Sequence, residues 1–351
     1  MSFAERLLAE SGLASPHEPV DVALVSALLA RHYCLDGELE RVATEKDDTF
    51  RLTTGSGNHL VKVSPPDEPV ATVALQTAVL RFLETAAGEL PVQRVKLTVD
   101  GADHVLLAAR DGRTRVLRVL GYVEGEVLAR TTAEPDQLAR AGAVLGRVDV
   151  ALAAFGHPAD RRGLVWDLRH FARLAGLVEH VPDPGHRRLA GEVFALFEAA
   201  VVPALDHLET QVIHGDFSPH NIVVDRRHDE FVTGVIDFGD TVRSAVIFDP
   251  AVPLANLLGR TPGSPWREAC AFAAGYTGVR PVADRELPLL PIAALARLTL
   301  RALLAGWRAQ RVPDRRDYLF EHAEDDWLNV ARALAVPLDD VVAHLTKGTR
   351  P

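Results

Sequence analysis

The sequence predicts an α+β chain of two lobes, a small antiparallel β-sheet followed by a mostly helical lobe. Three observations carry this prediction. Short strand-like runs crowd residues 39–120, with a single helix-period segment among them. Beyond Gly121-Tyr122-Val123 the apolar periodicity turns almost wholly helical. Two polar motifs in the second half, starting at His214 and Asp237, each follow a short β-branched run and stand at its end.

The elements follow in order. Met1–Leu13 alternates Glu5, Arg6 and Glu10 with apolar residues, the pattern of an amphipathic helix. It lacks the basic start and unbroken apolar stretch of a secretion signal. A second helix is expected after the breaks near Ser15-Pro16 and Glu18-Pro19. Leu39–Thr44, Thr49–Thr54 and His59–Val63 read as strands, the last two joined by Gly55-Ser56-Gly57-Asn58. Val70–Ala87 has helical spacing and stops at Gly88. Val92–Val99, His104–Ala109 and Thr114–Leu120 read as strands, with Asp100-Gly101 and Asp111-Gly112 as turn dipeptides. One helix packed on an antiparallel sheet is the expectation for this first lobe. Its boundary is set at residues 1–123, with 124–351 forming the second lobe.

In the second lobe Asp136–Phe155, Trp166–Glu179 and His186–Glu209 read as long helices. Ile222–Asp225 and Phe231–Ile236 interrupt them as strands, and helices return from Pro250 to Leu258 and from Trp266 onward. The cleft between the lobes is the expected binding site.

Composition narrows the function. Apolar residues make up 48% and charged residues 25% of 351, as in a globular protein. No apolar run is read as a membrane span. A net charge of −10 disfavours a nucleic-acid partner. Two distant cysteines, Cys34 and Cys270, argue against a disulfide framework, and the expected setting is cytoplasmic. Lysine is scarce, with only Lys46, Lys62, Lys96 and Lys347, so Lys62 between Val61 and Val63 stands out.

The chemistry is carried by His214-Gly215-Asp216-Phe217-Ser218-Pro219-His220-Asn221 and by Ile236-Asp237-Phe238-Gly239-Asp240. Phosphoryl transfer needs one carboxylate at the acceptor hydroxyl and hard oxygen ligands for Mg²⁺. The H-x-D-x-x-x-x-N loop supplies a carboxylate and an amide oxygen from opposite ends of one turn. The D-F-G segment supplies a second carboxylate. Either triplet alone is more often structural. Together, in this order, with a strand hairpin between them to return the chain to one edge, they point to a kinase of small molecules.

These motifs resemble those of the aminoglycoside phosphotransferase-like kinases, which share the protein-kinase fold. Thr44–Arg51, Leu60–Val63, Ala151–Pro158 and Trp166-Asp167-Leu168 are similar to the hydroxylysine kinase-like branch. The resemblance covers roughly residues 25–310. It implies Asp216 as the catalytic carboxylate, Asn221 and Asp237 as Mg²⁺ ligands, and His214 as a structural residue of the loop. It implies Lys62 at the nucleotide phosphates, with ATP or GTP as donor. Main-chain groups near Leu120 and Tyr122 would meet the purine base. Asp240 is a candidate acceptor contact, and a solvated or capping aspartate fits equally well. Asp249 reads as stabilising a helix start. Trp307, Tyr318, Trp327, Glu324, Asp325 and Asp326 suggest a pocket for a cationic group, against the plainer reading of a helix with a buried and a solvated face.

Two features depart from the resemblance. No glycine-rich loop precedes Lys62; the equivalent segment is Glu45-Lys46-Asp47-Asp48. The helix position of the lysine's usual glutamate partner holds Ala74, so Lys62 is expected to rest on phosphate alone, or on Glu68, with Glu84 on another face. The implied activity is transfer of a γ-phosphate to a hydroxyl of a small amino-alcohol or hydroxy-amino-acid. The alternatives are an aminoglycoside-type antibiotic phosphotransferase and a nucleotide-binding pseudokinase without turnover.

Overall fold

Residues 3–12, 18–44, 46–108, 112–311 and 316–347 are described by a computed structural model, the side chains of 316–322 and 346–347 excepted. Ser15-Pro16, Asp111 and the side chain of Tyr318 therefore lie outside the described residues. Ten helices are described: α1 Phe3–Glu10, α2 Val22–Tyr33, α3 Val70–Ala86, α4 Pro135–Leu152, α5 Pro184–Leu196, α6 Phe248–Leu257, α7 Arg267–Val279, α8 Leu289–Ala309, α9 Arg316–Leu334 and α10 Leu338–Lys347. The strands are β1 Glu38–Val42, β2 Asp48–Thr54, β3 Gly57–Val63, β4 Val95–Lys96, β5 Val105–Ala108, β6 Thr114–Gly121, β7 Glu126–Val127, β8 Thr210–Ile213, β9 Ile222–Val224, β10 Val232–Val235 and β11 Val242–Ala245.

The first sheet runs β1-β2-β3-β6-β4, antiparallel throughout, with β5 also on β6. Period two sorts its side chains. Phe50, Leu52, Val61, Val63, Leu117 and Val119 pack with Val25, Leu29 and Tyr33 of α2. Lys62 and Arg118, paired in register, stand on the opposite face with α3. Two helices thus serve the sheet where one was expected. Asp21 starts α2 by accepting from Ala23 N–H at 2.9 Å. Asp48, assigned by sequence to the loop, is the first residue of β2 and fully buried, where it accepts from Arg41 Nε at 2.8 Å and Val20 N–H at 2.7 Å.

The second half is helical around α8, with three short antiparallel pairings that hold the motifs. β9 pairs β10, β7 pairs β9, and β8 pairs β11. β7, β8 and β11 were not foreseen; two to four residues is too short for a periodicity signal. Trp166–Glu179 is not an α-helix. Residues 168–180 form a 3-10 helix whose buried Leu168, Phe171, Leu174 and Leu177 recur every third residue. His186–Glu209 is not one helix either. α5 passes into a π-turn at 197–201 and then a 3-10 turn at 202–207 that begins at Val202-Pro203. Pro203 has no N–H for the helical ladder. α1 packs on the helical half, with Ser11 Oγ accepting from Val165 N–H at 2.8 Å and Arg173 lying 3.3 Å over the Phe3 ring.

α8 is long and apolar enough by composition to cross a membrane, yet 89% of its most apolar window is buried in the protein and it carries Arg297 and Arg301. α4 and α7 cross at glycines: a Cβ on Gly275 would run into the Ala139 carbonyl, and one on Gly142 into that of Phe272. Gly275→Ala should therefore force the helices apart and lower stability by about 1–3 kcal/mol or more, the usual cost of overpacking. A urea titration that leaves the midpoint unchanged would contradict this reading.

Candidate active site

The β9–β10 hairpin brings the two motifs together. The Ile236 N–H donates to the Asn221 carbonyl at 3.0 Å, so the end of the first motif is tied to the start of the second. Asn221 Nδ2 donates to Asp216 Oδ2 at 2.8 Å and to the Asp216 carbonyl at 2.9 Å. Those bonds use both amide hydrogens and leave Asn221 Oδ1 for an outside partner. His214 is buried. Its Nε2 meets the Ile236 carbonyl at 3.3 Å, and its Nδ1 accepts from the Asp216 N–H at 3.2 Å. Burial keeps this imidazole below its ordinary pKa, and the neutral form with hydrogen on Nε2 serves both contacts. Its structural reading from sequence fits this geometry.

The loop is held from behind by Asp249. Its two carboxylate oxygens accept from the His214 N–H at 2.8 Å and the Gly215 N–H at 2.9 Å. Asp249 was expected to stabilise a helix start; it lies in the first turn of α6, and its charge is spent on the loop. Gly215 has φ of 79°, and a Cβ there would meet the Asp240 carbonyl. Asp149 of α4 lies behind Asp249. Burial, with the Asp249 charge, pushes its carboxyl well above the ordinary range, against the Tyr276 hydroxyl that donates to it at 2.7 Å. A second carboxyl this close disfavours charge on Asp149, in the same sense as its burial.

Asp237 sits in the left-handed region with φ of 59°, a strained conformation for a non-glycine. Its Oδ1 accepts from the Gly239 N–H at 3.2 Å and lies 3.3 Å from Lys62 Nζ. The Lys62 charge holds Asp237 below the ordinary carboxylate range, against burial. Lys62 also meets Asp47 Oδ2 at 3.2 Å. Burial works against its charge, but Asp237 and Asp47 outweigh it and the ammonium is raised. The expectation that Lys62 rests on phosphate alone is thus corrected: loop residue Asp47 takes the place of a helix carboxylate. Glu68 pairs instead with Arg162 at 3.7 Å and Glu84 with Arg81 at 3.2 Å. Two residues beyond Ala74, Gln76 accepts from Arg118 at 2.5 Å and donates to the Gly239 carbonyl at 3.2 Å. A neutral amide on α3 therefore links the sheet to the Asp237 segment.

Asp216 is 30% exposed in its side chain and pushed up to about 7, first by burial and then by Asp240 and Asp237, with Arg297 opposing. Arg297 Nη2 lies 3.3 Å from Asp216 Oδ1, and its guanidinium stacks 4.2 Å over Trp166. Sequence reasoning missed Arg297. It lies within an apolar helix far from both motifs, and only its interruption of that helix marks it. Asp240 is half-buried and its charge acts on both Asp216 and Arg297, which keeps it a candidate acceptor contact.

Other candidates are distributed differently. Leu120 is core, paired between Leu60 and Val95, and the Tyr122 N–H donates to the Asn58 carbonyl at 3.3 Å. Trp307 is buried under Arg311, ten residues along α8 from Arg297, or about 15 Å. It does not meet Asp216; Trp166 is the tryptophan at the site. Trp327 is buried against His186, and Asp326 is bonded to Arg301 at 2.8 Å. The plainer reading of that helix holds among its described side chains. A cavity of about 360 Å³ opens between Glu10, Lys46, Glu68 and Arg162, and neither Asp216 nor Asp237 lines it.

The donor set suits a hard cation that arrives with a nucleotide. Asp237 and Asn221 Oδ1 offer two oxygens, and Mg²⁺ completes its shell with phosphate and water. Among the described residues no cluster of three His, Cys, Asp or Glu could hold a metal alone.

A model of the phosphotransferase enzyme family matches residues 38–287. Hydroxylysine kinase of Mus musculus is 23% identical over 313 residues, covering 83% of this chain and 82% of its own. The solved structure of a microcompartment-associated aminopropanol kinase aligns with a TM-score of 0.69 at 17% identity, covering 90% of this chain and 98% of its own. An amicoumacin kinase in complex with AMP-PNP and Ca²⁺ aligns at 0.65 and 15% identity, covering 92% and 96%. The fold is thus kinase-like, with an antiparallel sheet lobe and a helical lobe.

An acid limb follows from the Asp216 value of about 7. A proton acceptor works only when ionised, so kcat/KM at low nucleotide should fall below about pH 7, approaching tenfold per unit. A flat profile from about pH 5.5 to 8 would place this carboxylate outside the rate-determining chemistry.

Proposed function

Because the chain belongs to the phosphotransferase enzyme family and is a small-molecule kinase, we propose that it moves a nucleotide γ-phosphate to the hydroxyl of an amino-alcohol or hydroxy-amino-acid. The observation that carries this is the convergence at one edge of Asp216, held by Asn221, and Asp237, held by Lys62. Asp216 orients the acceptor hydroxyl and receives its proton. Its raised pKa makes it a better base near neutrality than an ordinary carboxylate. Lys62 neutralises phosphate charge in a half-dry cleft, where such contacts count for more than in water. Asp237 and Asn221 Oδ1 would hold Mg²⁺, which neutralises charge on the transferring phosphate when bound. Backbone near Leu120 and Tyr122 would line the purine site, and the division of the lobes falls at 123/124.

Similarity to a hydroxylysine kinase and to an aminopropanol kinase supports a small hydroxylated amine as acceptor. ATP or GTP is the donor in this reading, supported by the AMP-PNP held by the amicoumacin kinase.

Nucleoside-diphosphate release over a panel of hydroxy-amino-acids, amino-alcohols and aminoglycosides, with each nucleotide, tests the reading. Asp216→Asn should lower turnover on the active acceptor by about 10²–10⁴-fold with nucleotide affinity unchanged. Nucleotide binding without transfer to any acceptor would mark a non-catalytic binding module instead.

A further inference from the structure

We propose that Arg297 is the anchor for a carboxylate on the acceptor, so that the substrate is a hydroxy-amino-acid and not the matching amino-alcohol; this rests on the kinase reading above. Arg297 is 7% exposed on a largely apolar helix, an expensive place for a guanidinium unless it meets an anion. Its neighbour Arg301 is satisfied, bonded to Asp326 at 2.8 Å. Arg297 is not. Its Nη1 is buried with no hydrogen-bond partner. Its Nη2 has only Asp216, at 3.3 Å, longer than the 2.7–2.9 Å of a strong charge-assisted bond.

That single contact is also an odd use of the residue. A cation bound tightly to Asp216 would stabilise the carboxylate and weaken it as a proton acceptor. The guanidinium carbon lies 4.2 Å over the Trp166 ring, so the indole covers that side and a ligand is met by the N–H groups. A planar fork with a spare donor suits a carboxylate, which it can bind through two parallel bonds. An acceptor whose hydroxyl reaches Asp216 would bring a carboxylate a few carbons away to this fork. It would replace the long Asp216 contact and free the catalytic oxygen. Asp240, whose charge acts on both Asp216 and Arg297, would stand beside the ammonium of the same amino acid.

Matched pairs test this: 5-hydroxylysine against 1,5-diaminopentan-2-ol, homoserine against 3-aminopropan-1-ol, threonine against 1-aminopropan-2-ol. The wild type should favour the carboxylate member of its active pair in kcat/KM by on the order of 10- to 100-fold, the worth of one charge-assisted pair. Arg297→Met should collapse that ratio to within about threefold, mostly through KM, and Arg297→Lys should keep part of it. The ratio is taken within each enzyme, so a general loss from disturbing Asp216 cancels. Competition on the wild type needs no variant: lysine should inhibit turnover at lower concentration than 1,5-diaminopentane. Equal loss on both members in Arg297→Met, with the wild-type ratio kept, would overturn the proposal. A wild-type preference for the amino-alcohol would overturn it while leaving the kinase reading intact. Turnover of neither member of any pair would remove the acceptor reading and this inference together.

Discussion

Everything at the site hangs on one buried carboxylate. Asp249 accepts the backbone N–H groups of His214 and Gly215, and so fixes the turn that presents Asp216. Hydrogen bonds to an ionised group are worth more than neutral ones, and these two are short and shielded from water. Asp149 lies behind it, bonded to Tyr276 and with its carboxyl raised well above the ordinary range by burial and by Asp249. Tyr276 of α7, Asp149 of α4 and Asp249 of α6 thus stand in a row behind the His214–Asn221 loop.

From that fixed turn the second motif is placed by contacts that leave little freedom. His214 reaches the Ile236 carbonyl and packs on Phe238 at 4.4 Å, and Gly215 lets the Asp240 backbone lie against the loop. Asp237 then meets Lys62 from the sheet. Gln76 and Arg162 both bond the Gly239 carbonyl, so α3 and the helical half grip the same peptide. The Val235 N–H and carbonyl bond the Pro91 carbonyl at 2.6 Å and the Gln93 N–H at 3.0 Å, a second tie between the halves. In many protein kinases a lysine–glutamate pair makes the link to the helix switchable. Here the lysine partner is Asp47 on a loop of the same sheet, and α3 is joined through a neutral amide.

Much of this was legible in the sequence, for physical reasons. The three strands before α3 and the two motifs at the ends of a β9–β10 hairpin obey period two and motif spacing. The 3-10 helix at 168–180 was also written there, in Leu168, Phe171, Leu174 and Leu177 at intervals of three, a period easily taken for a helical one. Other features were beyond it. Arg297, Trp166 and Asp149 come from segments distant in the chain, and no local pattern says that they meet. Asp47 and Asp48 are adjacent, yet one faces Lys62 and the other is buried with Arg41, a difference set by strand register. Trp307 looked like a site residue by composition and was placed instead by the helical rise, turns away from Asp216.

That Asp249 positions the His214–Asn221 loop through both its oxygens is tested most directly by Asp249→Asn. The amide keeps the shape but offers one acceptor oxygen, with an NH₂ group facing the second N–H. Backbone hydrogen exchange at His214 and Gly215 should speed by about tenfold or more, from a lost charged bond of about 1.5–3 kcal/mol. Turnover should fall while nucleotide affinity holds. Wild-type protection of those two amides together with wild-type turnover would contradict the account.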